Sequence, residues 1–288
     1  MLRLYIFNVG SGQCIFVYPS DNAGCCALID CGCSSDVLNF IIGYLPPDSS
    51  NPSQKNLGNL TLTNYDEDHF SGICDLYEKV TISTVCFSKN LSSEEIRKTK
   101  DRETEALKCL LKIKEKELYT GNVDCPPYRK YAYSLNKDEL NLFPLSHQRK
   151  ISTNNLSQMV FIEYNGFVTC IPGDLESEGW EKILKKKEVQ ECLRKTKLFI
   201  ASHHGRESGY SPKIFGYCRP ECVVISDDSI RYATQENMSS IYSNHVIGTG
   251  ILFSGESRKV LTTRKDGHLL IEIGSNGMAK YGKLNIHE

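Results

Sequence analysis

Short apolar or alternating runs, separated by polar turns, recur along the chain and predict strands with helices between them. The first three runs, residues 2–8, 14–18 and 25–30, predict a strand meander. Further strands are expected at residues 60–64, 85–88, 139–144, 158–164, 167–171, 198–201 and 269–273. Helical periodicity predicts helices at 36–44 and 71–79, and the polar segment 48–59 is expected to be a loop. This mixture indicates an α/β protein.

A heavily charged segment at residues 92–118 predicts a long helix or a pair of helices. It begins with the capping sequence SSEE, and its apolar positions form one stripe. A helical insertion of this kind can cover a sheet face, close over a site as a lid, or mediate dimerisation. The sequence leaves these alternatives open.

Composition fits a globular protein with one domain over residues 1–288. Hydrophobic residues make up 40% and charged residues 24% of the 288 positions, which is ordinary for a soluble domain. No apolar run approaches the roughly 18 residues needed to cross a bilayer, so no membrane partner is expected. The chain starts directly with a predicted strand, which indicates a stand-alone unit.

The charge balance argues against a broadly cationic surface for nucleic acid. The formal net charge is −1 and the isoelectric point is about 6.7. Local basic runs occur at residues 185–187 and 194–197, although glutamates interrupt them. These runs are either a solvated helix face or a local contact for phosphates.

The 13 cysteines do not form a recognisable disulfide or zinc pattern. Their number is odd, and several of them, such as Cys26, Cys86 and Cys170, lie inside apolar strands. Free cysteines behave as small hydrophobic residues. We therefore expect free thiols and a cytoplasmic location.

The most informative segment is residues 63–69, TNYDEDH, which follows a predicted strand. It offers Asn64, Asp66, Asp68 and His69 as metal ligands. A mixed set of oxygen and nitrogen ligands suits Zn²⁺, Mn²⁺ or Fe²⁺. A polar turn leading into a helix would give a similar pattern.

Two other predicted strands also end in candidate ligands. Asp174 follows the strand at 167–171, and the adjacent His203 and His204 follow the strand at 198–201. Such residues are often turn residues when they occur alone. Three of these segments, each at a strand's carboxyl end, instead favour a shared site.

The order of these motifs resembles the metallo-β-lactamase-fold hydrolases, in particular the branch typified by the hydrolase domain of the competence protein ComEC. The resemblance rests on the motifs VGSG (9–12), LIDCG (28–32), TNYDEDH (63–69), GDLE (173–176) and SHHG (202–205), followed by Ser208, Ser226-Asp227 and Thr262 to Gly267. It runs from about residue 1 to 275. It implies a four-layer αββα sandwich and a metal-dependent hydrolase.

The chain departs from the family pattern at several metal positions. Asn64 replaces the first histidine of the main motif, and the mid-chain histidine has no clear counterpart, since His147 lacks the usual context. The resemblance implies one metal position at Asp68, His69, Asp174 and one of His203 and His204, with His204 favoured. A second position would have Asn64, Asp66 and a shared Asp174. Because it is rich in oxygen, it would favour Mn²⁺ or Mg²⁺ or stay empty.

The same resemblance suggests roles for the surrounding residues. A divalent ion would lower the pKa of a bound water toward about 7, with Asp68 and Asp174 as catalytic ligands. Asp30, Asn155 and Asp227 would support the ligands from behind. Arg206 is expected to meet an anionic substrate, unless it is merely exposed.

Three functions remain open at this point. The first is a phosphodiesterase or nuclease, for which single strands or strand ends are the expected nucleic-acid partner. The second is a hydrolase of a small molecule, such as a nucleotide, a phosphocholine-like ester or a lactone. The third is a degenerate relative that binds a metal and a partner without catalysis.

Overall fold

Two seven-stranded sheets form the centre of the molecule in the computed structural model, which describes residues 1–88, 91–115, 123–125, 127–140, 153–228 and 233–286. The first sheet has the strand order β16-β15-β1-β2-β3-β4-β5 and the second has the order β14-β11-β10-β9-β8-β7-β6, while β12 and β13 form a separate hairpin. The strands are β1 Leu2–Ile6, β2 Ile15–Pro19, β3 Ala27–Ile29, β4 Lys55–Thr61, β5 Val80–Cys86, β6 Val123–Cys125, β7 Tyr128–Tyr133, β8 Met159–Tyr164, β9 Phe167–Ile171, β10 Thr196–Ile200, β11 Cys222–Ile225, β12 Ile251–Phe253, β13 Glu256–Arg258, β14 Val260–Thr262, β15 His268–Ile273 and β16 Ala279–Leu284.

Helices cover the outer face of each sheet. They are α1 Ser35–Tyr44, α2 Ile73–Lys79, α3 Ser93–Thr99, α4 Glu105–Glu115, α5 Ser177–Ile183, α6 Lys187–Lys195, α7 Ala233–Ser243 and α8 Thr263–Asp266. Of the described helices, none is long and apolar enough to span a bilayer.

The period-two alternation of strand residues produces the layers. In β1, Leu2, Leu4 and Ile6 belong to the apolar core between the sheets, whereas Tyr5 packs outward against Phe40 of α1. In the second sheet, Phe199 likewise packs outward against Trp180 of α5. The predicted α/β class and the αββα layering are confirmed.

Parallel pairing places the candidate residues at one edge. β3, β4 and β5 are parallel to one another, as are β9, β10, β11 and β14. The turns after β3, β4, β9, β10 and β11 carry, respectively, Asp30, residues 63–69, Asp174, His203 with His204, and Asp227. Carboxyl ends of parallel strands are the usual place for a site in an α/β protein.

Several predicted elements differ from the structure. β4 begins at Lys55, so the loop expected at residues 48–59 is wrong at its end. The hairpin of β6 and β7, together with β16, was not predicted. Of the strand expected at 139–144, residues 139 and 140 form a turn, and residues 141–144 lie outside the described residues, as does His147.

The helical segment at 92–118 is a pair of helices as far as it is described, through Glu115. Ser92 caps α3 in a capping box with Glu95. In α4, the apolar stripe is buried, and α4 packs beside α2. The stripe therefore covers the core, which is the first of the three roles considered for this segment.

The expectation that all cysteines are free is wrong at four positions. Disulfides join Cys25 to Cys125 and Cys74 to Cys109. The second of these ties α4 to α2. Both link residues far apart in sequence, so the spacing along the chain carried no signal for them.

Candidate metal centre

Asp30 is the residue around which the site is arranged. It follows β3 with a left-handed backbone (φ 60°) and is fully buried. Its Oδ1 accepts the Thr63 N–H at 2.7 Å, and its Oδ2 accepts the Thr63 hydroxyl at 2.6 Å and the Gln13 amide at 2.7 Å. The same Oδ2 lies 2.8 Å from Nδ1 of His69. Asp30 thus fixes both the start of the 63–69 turn and the ring of His69.

Hydrogen bonds select the tautomer of two histidines. The Nδ1 of His69 faces the Asp30 carboxylate, and the Nδ1 of His204 lies 3.1 Å from the Ser226 carbonyl oxygen. Carboxylate and carbonyl oxygens can only accept, so both Nδ1 atoms carry a proton and a neutral ring keeps its lone pair on Nε2. Both Nε2 atoms are buried and make no hydrogen bond within the described structure.

These lone pairs converge with a carboxylate. Ligand atoms of Asp68, His69 and His204 all lie within 4.8 Å of one another. His204 Nε2 is 3.5 Å from Asp68 Oδ2, and His69 Nε2 is 3.9 Å from Asp68 Oδ1. Two unpartnered imidazole nitrogens and a carboxylate within this distance are a donor set for a divalent cation.

Asp174 completes the cluster from the second sheet. It follows Gly173, whose φ of 62° turns the chain directly after β9. Its Oδ2 lies 3.1 Å from His69 Nε2, and its Oδ1 lies 3.6 Å from His204 Nε2. Its backbone N–H donates to the Ser157 hydroxyl at 3.1 Å. Asp174 therefore faces both lone pairs, which repel it unless a proton or a cation lies between them.

The electrostatics of the cluster favour positive charge. Burial disfavours ionised Asp174, yet the imidazoles of His69 and His204 outweigh burial and hold its pKa well below the usual range. Burial likewise opposes protonation of His69, but the carboxylates of Asp174 and Asp30 raise its pKa well above the usual value. A proton on His69 would offset part of the negative charge of the surrounding carboxylates, and a metal ion bound at Nε2 would have to displace it.

Backbone strain accompanies this geometry. His203 and His204 have φ values of 50° and 54°, so two consecutive non-glycine residues adopt the left-handed region. Each such residue costs roughly 1–2 kcal/mol. Consecutive residues of this kind are uncommon outside functional sites, and here they turn the His204 ring into the cluster.

Asn64 and Asp66 lie beside the cluster, and their side chains form hydrogen bonds with other residues of the protein. The Asn64 amide nitrogen donates to Asp174 Oδ2 at 3.0 Å and to Asn154 Oδ1 at 3.2 Å, and its oxygen accepts the Tyr65 N–H at 2.6 Å. Asp66 Oδ1 accepts from Lys100 at 2.5 Å and from the Thr153 hydroxyl at 3.0 Å. The geometry thus counts against the second metal position, which stays a prediction.

His203 points to a different group of side chains. Its Nδ1 lies 3.0 Å from the Ser208 hydroxyl and 3.4 Å from Glu176 Oε1. The Arg206 guanidinium donates to its Nε2 at 2.9 Å, so that nitrogen accepts. Burial, and then the positive charge of Arg206, lower the pKa of His203, although Asp174 opposes them. His203 is thus held neutral.

Asn155 and Asp227, which were also predicted to support the ligands, lie close to them in sequence or in space. Asn155 Oδ1 accepts the N–H groups of Glu176 and Gly179, which holds the start of α5 just after Asp174. Asp227 follows Ser226, and its Oδ2 lies 3.4 Å from Arg264. Burial raises the pKa of Asp227, partly offset by Arg264.

The contacts of two further residues of the site were not predicted from sequence. Asn154 bridges Asn64 and Glu176, with its amide donating to Glu176 Oε1 at 3.1 Å. Its position beside Asn155 was a signal that could have been used. Lys100, at the end of α3, carried no local signal, because its contact with Asp66 joins segments 34 positions apart.

Comparison with known proteins yields likenesses among solved structures alone. No protein-family model matches the chain, and no curated protein matches it. The metallo-β-lactamase fold protein YhfI from Bacillus subtilis is 10% identical with a TM-score of 0.47, covering 98% of this chain and 100% of its own. CmlA, a diiron β-hydroxylase from Streptomyces venezuelae, is 11% identical with a TM-score of 0.48, covering 98% of this chain and 54% of its own. The short form of human tRNase Z is 14% identical with a TM-score of 0.42, covering 80% and 94%.

These similar structures thus include metallo-β-lactamase fold proteins. At identities of 10–14% the likeness concerns the path of the chain. The ComEC-like branch stays a prediction from the motifs.

Proposed function

We propose that this chain is a metal-dependent hydrolase of phosphodiester bonds. The observation that carries the proposal is the convergence of the buried, unpartnered Nε2 atoms of His69 and His204 on Asp68 and Asp174. A divalent cation would bind the lone pairs of both nitrogens and balance the charge of both carboxylates. The donor set of two imidazoles and two carboxylates suits Zn²⁺, Mn²⁺ or Fe²⁺.

Some residues of the chain would bind such an ion, and others would orient the residues that bind it. Asp68, His69, His204 and Asp174 would hold it, and it would supply a Lewis acid that makes water nucleophilic near neutral pH. Asp30 orients His69 through Nδ1, while Asn64 donates to Asp174 Oδ2 and so directs that carboxylate. Supports of this kind commonly tune ligand strength.

Three cations near the ligands favour an anionic substrate. Arg206 contacts His203, Lys100 contacts Asp66, and Arg264 contacts Asp227. His203 is adjacent to the proposed ligand His204, and Asp66 is two residues from the proposed ligand Asp68. Asp227 is adjacent to Ser226, whose carbonyl oxygen contacts His204 Nδ1. Guanidinium and ammonium groups suit phosphate oxygens. Lys100 and Arg264 are paired with carboxylates, whereas Arg206 faces the neutral His203, so Arg206 is the cation that favours a phosphodiester over a neutral ester.

The experiment compares three nitrophenyl substrates in protein reconstituted with Mn²⁺, Zn²⁺ or Mg²⁺. Turnover of bis(p-nitrophenyl) phosphate is expected to exceed that of the acetate ester and of the phosphate monoester, with Mn²⁺ giving the strongest response. His204→Ala should abolish turnover, whereas His245→Ala, a histidine that contacts Tyr210 outside the cluster, should not. Equal diesterase activity in His204→Ala would refute the proposal.

A further inference from the structure

The loop that follows β3 carries two cysteines, Cys31 and Cys33, whose sulfur atoms lie 3.8 Å apart. Cys31 is fully buried, whereas Cys33 is partly exposed. Of the free cysteines, all of which lie within the described residues, Cys192 is the other one that is not buried. A small oxidant can therefore reach the Cys33 sulfur, and a second thiol lies beside it.

Two neighbouring thiols favour the thiolate form of Cys33. Hydrogen bonds from Cys14 and then from Cys31 lower the pKa of Cys33, against the opposing effect of burial. The thiolate is the form of cysteine that attacks an oxidant, and an accessible thiolate beside a second thiol is the usual arrangement of a redox-sensitive site. Cys33 is therefore the thiol that reacts first, with Cys31 as the second thiol.

The backbone of Cys31 is bonded to the segment that carries the proposed metal ligands. Its N–H donates to the His69 carbonyl oxygen at 2.7 Å, and its carbonyl oxygen accepts the Gly72 N–H at 2.8 Å. A Cβ on Gly72 would lie 3.1 Å from the Cys33 sulfur, so this sulfur packs directly against the end of the same segment. Both cysteines therefore contact the chain between His69 and Gly72.

We propose that Cys31 and Cys33 form a redox-active dithiol whose oxidation to a disulfide displaces the chain around His69 and weakens metal binding. Sulfur atoms in a disulfide lie about 2.05 Å apart, so these two must approach each other from 3.8 Å. The loop has little room to adjust, since a Cβ on Gly32 would lie 1.7 Å from the Asp68 carbonyl oxygen. Movement of the loop is therefore passed to the proposed ligands. The thiol chemistry does not depend on the proposed function, whereas the loss of metal does.

The oxidant is a peroxide, and the reaction has two steps. The Cys33 thiolate attacks one oxygen of hydrogen peroxide, the O–O bond breaks and hydroxide leaves, so that Cys33 becomes a sulfenic acid. The Cys31 thiol then attacks the Cys33 sulfur, the S–O bond breaks, and the departing hydroxide takes the thiol proton to form water. The two sulfur atoms lose two electrons in total, and the peroxide gains them. A dithiol reductant reverses the reaction by thiol–disulfide exchange.

The first measurement identifies the oxidised thiols. Metal-free protein is treated with hydrogen peroxide, unfolded, alkylated at its remaining thiols and digested for mass spectrometry. Cys31 and Cys33 should lose alkylation together, and dithiothreitol should restore both. Cys33→Ser should leave Cys31 fully alkylated. The matched control is Cys192→Ser, which removes the other partly exposed thiol, on α6, and should form the disulfide as the wild type does.

The second measurement follows the chain around His69. The N–H groups of Cys31 and Gly72 are hydrogen-bonded across the contact between the loop and this chain, so their hydrogen exchange should be faster in the oxidised protein. Calorimetric titration should give an affinity for Mn²⁺ about tenfold lower in oxidised than in reduced protein, in the range found for supporting partners. Both differences should vanish in Cys33→Ser and persist in Cys192→Ser.

The outcomes distinguish the dithiol from the proposed function. Thermal unfolding of the reduced variants confirms that each of them folds. Persistent alkylation of Cys31 after peroxide treatment, or a disulfide between Cys33 and Cys14, would overturn the dithiol. A disulfide that leaves both the exchange rates and the Mn²⁺ affinity unchanged would overturn its effect on the chain around His69. If the reduced protein binds no Mn²⁺, the proposed function fails, and the alkylation and exchange measurements still decide whether the dithiol forms and moves this chain.

Discussion

The imidazole of His69 lies between two carboxylates, with Nδ1 2.8 Å from Oδ2 of Asp30 and Nε2 3.1 Å from Oδ2 of Asp174. Asp30 belongs to the turn after β3 of one sheet, and Asp174 to the turn after β9 of the other. One ring thereby joins the two sheets at the edge where the proposed metal ligands meet. The Nδ1 contact fixes the ring, and the Nε2 position can be taken by a proton or by a metal ion.

The paired histidines should behave differently in metal binding. His204→Ala removes a ligand and should lower the bound metal from about one ion per chain to a small fraction of this. His203→Ala should retain the metal, because His203 faces Ser208 and Arg206. Elemental analysis after dialysis measures both variants. Loss of metal in His203→Ala, with retention in His204→Ala, would reverse the assignment.

The number of ions is tested at Asn64. Because its amide nitrogen donates to Asp174 and its oxygen accepts the Tyr65 N–H, Asn64 is expected to support one ion and not to bind a second. Asn64→Ala should therefore weaken metal affinity by about tenfold, in the range found for supporting partners, while the stoichiometry stays at one. Calorimetric titration with Mn²⁺ gives both values. Two ions in the wild type and one in Asn64→Ala would contradict this expectation.

Periodicity in the sequence was sufficient for most of the buried strands. β1, β8 and β9 alternate or run apolar and were predicted within one or two residues. The first residues of β4 were predicted as loop, because Lys55, Asn56 and Asn59 are polar. Asn59 nevertheless sits buried between the sheets, where Lys130 of β7 donates to it, so a tertiary partner overrides its low strand propensity.

Part of the candidate site could also be predicted from the apolar strands. Asp30, Asp174 and Asp227 each follow an apolar strand, and parallel pairing brings such ends together. The tasks of Asn64 and Asp66 were not predictable, because their partners Asn154 and Lys100 come from other segments. Which heteroatom of an amide faces a neighbour depends on those partners and not on local sequence.

Arg206 should matter for anionic substrates. Its guanidinium is held against His203 at the edge of the cluster, and hydrogen bonds to charged groups contribute roughly 1.5–3 kcal/mol. Arg206→Ala should therefore lower kcat/KM for the nitrophenyl diester by about 10- to 100-fold, and Arg206→Lys by less. Turnover of the neutral acetate ester should change much less. A similar loss with both substrates would mean that Arg206 merely shapes the loop.

Lys130 should make stability depend on pH. It is buried between the sheets, with its ammonium 2.5 Å from both Asn59 Oδ1 and Thr61 Oγ1, and burial lowers its pKa to about 8. At pH values below this the folded and unfolded states are both protonated, so the folded state carries the full cost of the buried charge. Above it the folded state releases the proton first, and stability should rise until the unfolded lysine also titrates near 10.4.

The matched comparison is Lys130→Met, which keeps a long unbranched side chain without the charge. The difference in free energy of unfolding, wild type minus variant, should rise by about 2.5 kcal/mol between about pH 7 and pH 10. Other titrating groups are common to both proteins and cancel. Urea titrations at several pH values give the difference. A difference independent of pH would show that Lys130 keeps an ordinary pKa.

Two glycines allow a test of what holds the 63–69 turn in place. A Cβ on Gly32 would lie 1.7 Å from the Asp68 carbonyl oxygen, whereas a Cβ on Gly43, within α1, would meet nothing within 4 Å. Gly32→Ala must displace the backbone of Asp68, and should cost about 3 kcal/mol or more and reduce bound metal. Gly43→Ala should add up to about 1 kcal/mol, since alanine favours helix. Thermal unfolding and elemental analysis give the stability and the metal content of both variants. A Gly32→Ala protein with wild-type stability and full metal content would show that the 63–69 turn does not depend on this close contact.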